Sequence, residues 1–327
     1  MVIKNIHPFN GQHCETTATG SLLNHLGVVL SEPMLFGLGQ GLGYIVWNMK
    51  NMDIPFIGGR VKPDILTENL VRNLNLKMEV RETSSISKAW NHVKEKLDQN
   101  ILVGLKLDCY HLEYFSRKFH FAAHYSAMYG YDSQWAYLVD THQQGGRVKT
   151  SLESLARARN EKGPMSSRNR MYTISMNGKF CKLEKAILPA MQRNASEYLN
   201  PPIQNIGYKG IIKTASEIKK WFHNERMATE FSTLAMLMEK AGTGGALFRN
   251  LYRDFIKESN EILGIKELET VYKHFCHIAE LWTNVSSLFD EAGKTKDIRH
   301  INKASDILQN VASLEKEAMM RILNLKN

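Results

Sequence analysis

Gly11-Gln12-His13-Cys14-Glu15-Thr16-Thr17-Ala18-Thr19-Gly20 sets a cysteine between a glycine-containing loop and a run that continues into Leu22, Leu23 and Leu26. Those leucines share one helical face and Gly27 supplies a stop, so the spacing predicts a buried helix over Cys14 to Leu26. A cysteine in the first turn of a helix sits at its partially positive end, where unpaired N–H groups stabilise a thiolate. The same N–H groups can hold the oxyanion formed when sulfur attacks a carbonyl. Gly20 lets another backbone pass close to the helix.

A nucleophile of this kind needs a base, and the run from His120 to Asp132 supplies one. His124 opens the strand-like stretch His124 to Tyr131, and Trp135 to Asp140 follows across the short polar turn Asp132-Ser133-Gln134. The two stretches read as a hairpin. Pairing them brings His124 and Asp140 to the same open end, where the acid can bond one imidazole nitrogen and aim the other at Cys14. A lone cysteine or histidine is more often structural than catalytic. The combination is more specific: cysteine at a helix start, histidine at a strand start, an acid at the end of the paired strand, in that order. Cys109, after the strand-like run Ile101 to Leu107, is the rival nucleophile, although no helix start follows it so clearly.

The order and context resemble the papain-like fold, particularly bacteriocin-processing peptidases with their HY…GYD…D hairpin. The chain is more similar still to the butirosin biosynthesis protein H family. The matching residues are His13-Cys14, Leu30-Ser31-Glu32, Phe36 to Leu42, Gly59-Arg60, and His124 through Asp140. The run Gly244 to Phe255 resembles the start of that family's helical C-terminal domain. The resemblance implies an α+β papain-like domain followed by a helical bundle. It also implies an acyltransferase that moves an acyl or aminoacyl group from a carrier-protein thioester to an amine of a small acceptor, in natural-product biosynthesis. Papain carries an oxyanion glutamine several residues before its cysteine, but position 8 here is proline. Gln12 and Glu15 are therefore the candidate oxyanion residues. Two alternatives remain: a peptidase or amidase, in which water resolves the same acyl-enzyme, and a non-catalytic binding protein on the same fold.

Candidate substrate-binding residues are Glu32, Gly39, Gln40, Gly41, Arg60 and Asp108. Phe36 to Tyr44 has glycine at alternate positions but is neither GxGxxG nor followed by GK[ST], so a nucleotide site is not expected. A close backbone approach to substrate, or a tight turn under the nucleophile, fits better. Arg60 could meet a substrate carboxylate or phosphate, and a surface role is equally open. Asp108 could bind a substrate amine or cap the next segment. The four cysteines, Cys14, Cys109, Cys181 and Cys276, are scattered without zinc-site spacing, and neither metal nor cofactor is expected.

With 327 residues, two domains are expected: a catalytic domain over 1–179 and a helical domain over 180–327. In the latter, Phe222, Met227, Phe231, Leu234 and Met238 recur at helical spacing, and helices are read over about 266–289 and 297–325. This predicts a bundle of five or six helices, with Met227, Met236, Met238, Met319 and Met320 as core filling. No apolar run is long enough to span a bilayer, and residues 1–10 lack a signal-peptide core, so a cytoplasmic location is expected. The net charge is +9. Its densest part runs from Arg147 to Arg170 and is read as a solvated loop or as a docking surface for an acidic partner such as an acyl carrier protein. No nucleic-acid-binding motif accompanies it. The oligomeric state is not legible.

Overall fold

The computed structural model describes residues 1–48, 55–163, 165–223 and 225–326, and the side chain of Met227 falls outside the description. In chain order the elements begin α1 (Cys14–His25), α2 (Glu32–Leu38), β1 (Leu42–Trp47), β2 (Phe56–Arg60), α3 (Ile65–Asn73), β3 (Leu76–Arg81) and α4 (Ile86–Asp98). They continue β4 (Val103–Leu107), β5 (His124–Tyr131), β6 (Trp135–Val139), β7 (Arg147–Ser151), α5 (Leu152–Asn160) and β8 (Met171–Met176). Helices α6 (Leu183–Leu199), α7 (Gly207–Phe222), α8 (Glu225–Lys240), α9 (Arg249–Leu263), α10 (Lys266–Thr295) and α11 (Ile298–Leu323) complete the chain. The architecture is α+β with antiparallel sheets.

Two compact units result: Met1–Leu35 with Pro63–Cys181, and Phe36–Lys62 with Lys182–Asn327. The first is built on a six-stranded sheet of order β3-β8-β4-β5-β6-β7. Helix α1 packs across β5 and β4 and is buried from Glu15 to Leu23, which explains its run of small residues. At Gly20 a Cβ would lie 2.6 Å from the Phe9 ring and 2.9 Å from Leu35, so side chains, not a passing backbone, require this glycine.

The expected hairpin is present. Asp132 Oδ1 accepts the N–H groups of Gln134 and Trp135 at 2.8 and 2.7 Å, an Asx-type closure of the turn between β5 and β6. The basic stretch after Arg147 is not a plain loop. It forms β7, paired with β6, and then α5, whose N-cap Ser151 accepts from Ser154 N. Leu155, Ala158 and Arg159 form the buried face of α5.

In the second unit β1 and β2 pair, with Leu42 opposite Arg60, and accompany the six helices. Residues 36–62, read from sequence with the N-terminal domain, thus group with the helical part. Their glycines explain this. A Cβ on Gly37 would lie 2.0 Å from the Phe255 ring, and one on Gly59 would lie 2.3 Å from Leu247 O. The core holds a fully buried ion pair, with Arg249 Nε 2.8 Å from Glu315 Oε1. Trp282 Nε1 and Tyr198 OH also donate to Glu315, and Arg249 donates to the carbonyls of Gly59 and Leu247. This network satisfies both charges, as a buried pair requires. Met238 and Met319 fill the core as expected, whereas Met236 and Met320 are exposed.

Candidate active site

Cys14 is the first residue of α1 and is partly exposed. His13 is the N-cap in extended conformation, and its carbonyl accepts from Thr17 N at 2.9 Å, Thr17 Oγ1 at 2.7 Å and Thr16 Oγ1 at 2.9 Å. The Thr17 hydroxyl therefore holds the turn that presents the cysteine, and the single Thr16 proton is shared between the His13 carbonyl and Glu32. Glu32, a candidate substrate ligand, is engaged in the same turn. Its carboxylate accepts the main-chain N–H of Gln12 at 2.9 Å, that of His13 at 2.8 Å and the Thr16 hydroxyl at 2.8 Å. A carboxylate at the positive end of α1 is electrostatically favoured and fixes the loop rigidly.

The candidate base and acid lie at the end of the hairpin. His124 Nε2 is 2.7 Å from Asp140 Oδ2, with both residues buried. That oxygen also accepts Tyr114 OH at 2.6 Å and Ser126 Oγ at 2.9 Å, and Oδ1 accepts Thr141 N at 2.6 Å. With Nε2 committed to Asp140, Nδ1 is the nitrogen left to serve a thiol. Phe115 packs edge-on against the imidazole, with ring centroids 5.2 Å apart. Burial alone would push the His124 imidazole down, but the Asp140 carboxylate and the Cys109 thiol outweigh it and hold the group well above its ordinary value. Burial likewise opposes ionisation of Asp140, and the imidazole, Tyr114 and Thr141 N more than offset it, leaving the carboxyl below its usual range.

Cys109 is only 1% exposed, and burial pushes its thiol up although His124 beside it pulls the other way. His124 also hydrogen-bonds the Cys109 thiol, so Cys109, His124 and Asp140 lie side by side. Of the two thiols, Cys14 has the helix terminus and the exposure, while Cys109 is buried and hydrogen-bonded to the candidate base.

The remaining candidates disperse. The Glu15 carboxylate is buried and accepts from Thr67 N and Thr67 Oγ1 at 3.1 and 3.0 Å, so only its main chain can serve an oxyanion. Gln12 is exposed on the loop before Cys14. Asp108 is buried and caps the turn after β4, its Oδ1 accepting Tyr110 N at 2.8 Å. Gly39, Gln40, Gly41 and Arg60 belong to the second unit. There Gln40 N and Gly41 N donate to the carbonyls of Gly37 and Phe36, both at 2.9 Å, a Schellman-type end to α2 with Gln40 at φ 53°. Arg60 ends β2 and is half-buried.

Sequence reasoning did not find Ser126, Tyr114 or Thr141. Ser126 had a signal: it lies two residues after His124, and alternate residues of a strand share a face. Tyr114 comes from an irregular loop and had none.

The family described as "Butirosin biosynthesis protein H, N-terminal" matches residues 13–141. The family described as "Domain of unknown function (DUF4872)" matches residues 153–322. No curated protein matches the chain. The first match begins at His13, beside the candidate nucleophile, and ends at Thr141, beside the candidate acid.

Proposed function

We propose that this chain, which belongs to the butirosin biosynthesis protein H family and the DUF4872 family, is a cysteine acyltransferase of natural-product biosynthesis with a papain-like catalytic domain. The observation that carries the reading is the 2.7 Å His124–Asp140 bond, in the same compact unit as a cysteine at the start of a buried helix.

The Cys14 sulfur attacks the carbonyl carbon of an acyl thioester. The thiol proton is held at His124 Nδ1, and Asp140 supports that imidazolium. The main-chain N–H groups at the start of α1 and the Gln12 side chain stabilise the oxyanion. When the tetrahedral adduct collapses, the bond to the donor sulfur breaks and the imidazolium returns its proton to the departing thiol. An acceptor amine then attacks the Cys14 acyl-enzyme, His124 takes the amine proton, and amide and free cysteine are released. The donor is a carrier-protein thioester and the acceptor is a small amine.

Intact-mass measurement after incubation with a panel of acyl thioesters tests this. A mass increase of one acyl group, discharged faster by added amines than by water, is the expected result. Discharge indifferent to amines assigns a hydrolase, and no acylation by any donor removes the enzymatic reading.

A further inference from the structure

Between the hairpin and α5 lies a second polar cluster that acyl transfer does not use. Asp108 Oδ2 is 3.2 Å from His120 Nδ1. One ligand-type atom from each of Asp108, His120 and Glu161 lies within 4.8 Å of the others. Three separate segments converge here: the end of β4, the loop before β5 and the residue after α5.

The spacing of these groups also admits a cation. Zinc binds nitrogen and oxygen at about 2.0–2.1 Å, so two tetrahedral ligands stand about 3.3 Å apart, close to the 3.2 Å between Asp108 and His120. Outer contacts orient all three groups. Tyr110 N and Phe121 N donate to Asp108 Oδ1 at 2.8 and 3.4 Å, which leaves Oδ2 directed at His120. The Tyr110 ring stacks on the His120 imidazole, with centroids 4.1 Å apart and planes 10° apart. His111 Nε2 lies 2.7 Å from Glu161 Oε2 and Lys162 N donates to Oε1 at 3.2 Å, so the carboxylate is held at both oxygens, each of which keeps a further lone pair for a ligand. Ligating groups held by a second tier of hydrogen bonds characterise protein metal sites. The His120 side chain is 59% exposed, which gives an ion and its remaining water ligands a route in.

We propose that Asp108, His120 and Glu161 bind a divalent transition-metal ion of the zinc type, with His111 positioning Glu161. One imidazole and two carboxylates favour zinc over the harder magnesium and calcium. The site would tie together the two ends of loop 112–123. That loop carries Tyr114, bonded to Asp140, and Phe115, packed on His124. Clipping it lowers its freedom and steadies the base and its acid without touching substrate. The absence of a cysteine spacing signal does not bear on this cluster, whose ligands are dispersed in sequence and contain no thiol.

Titration calorimetry of the chelator-treated full chain with Zn2+ tests the proposal, alongside His120→Ala, His111→Ala and trypsin digestion. Expected are one Zn2+ per chain and at least a tenfold weaker affinity in His120→Ala. His111→Ala should weaken binding on the order of tenfold, as loss of an outer contact does. Zn2+ should slow cleavage at Arg117 and Lys118 in the native chain but not in His120→Ala. Zinc held by the Cys14 or Cys109 thiols would bind equally in His120→Ala, and that result overturns the proposal. So does the absence of stoichiometric binding, or cleavage of the loop at an unchanged rate when Zn2+ is bound.

Discussion

The main-chain N–H of His142 donates to the carbonyl of Gly11 at 2.8 Å. This bond joins the loop that carries Cys14 to the strand end that carries Asp140. Glu32 grips the same loop one and two residues further on. The proposed nucleophile and acid are thus referenced to each other through main chain, and catalytic groups must be placed to within about 0.5 Å.

Glu32→Ala should cost activity through position rather than chemistry. It removes the acceptor for two main-chain N–H groups and one hydroxyl, and hydrogen bonds to a charged group contribute about 1.5–3 kcal/mol each. A fall in kcat of tenfold or more, with a lower melting temperature and partial rescue by Glu32→Gln, is expected. Unchanged kcat with a lowered melting temperature would limit Glu32 to folding.

Asp140→Asn should lower kcat on the order of 10³-fold while the hairpin stays folded, because an amide cannot hold the imidazolium. Tyr114→Phe and Ser126→Ala each remove one of several donors to Asp140 and should cost less than about tenfold apiece. Steady-state kinetics on the three variants checks the ranking. A Tyr114→Phe loss as large as that of Asp140→Asn would instead give the phenol a direct role.

The pH dependence of stability follows from the buried pair. His124 is held above its ordinary value, so its contribution is complete below about pH 6.5 and is lost as pH rises through the folded value. Asp140 is held below its ordinary value, so its contribution is present above about pH 4 and is lost as pH falls through the folded value. The pair should stabilise most between those limits. Melting temperatures of the native chain and of His124→Gln should differ most near pH 5–6 and converge toward alkaline pH. A difference that grows with alkalinity would reverse the assigned direction.

The basic segment divides into structural and available charge. Arg159 is buried, donates to the carbonyls of Ala89 and Asn169, and is pushed down to about 10 by burial. Arg170 pairs with Asp64, Glu68 and Glu82. Arg157, Lys162 and Arg168 are exposed. Reversing these three to glutamate should raise KM for a carrier-bound donor several-fold and leave a small thioester unaffected, with salt acting the same way on the native enzyme. Arg159→Glu should lose the fold. Equal responses of both donors would reduce the exposed segment to a solvated surface.

Local patterns made α1 and the β5–β6 hairpin legible. Leu22, Leu23 and Leu26 mark a helical face, and Asp132 closes a turn of the kind its side chain favours. The pairing of His124 with Asp140 followed from the hairpin alone. What could not be read depends on contacts distant in sequence. Gly37 shows only that something comes close, and that something is Phe255, more than 200 positions away. Arg159 looks like its exposed neighbour Arg157 until α5 turns one face to the sheet. Glu32 reads as a free carboxylate because its partners are main-chain N–H groups, which carry no sequence signal.

Acyl transfer as proposed places the acyl group on Cys14. Its most direct test is peptide mapping of the enzyme quenched after brief exposure to an acyl thioester, in the native chain, Cys14→Ala and Cys109→Ala. An acyl adduct is expected on Cys14 in the native and Cys109→Ala proteins and none in folded Cys14→Ala. An adduct on Cys109 that survives Cys14→Ala would contradict it and move the nucleophile to the buried thiol.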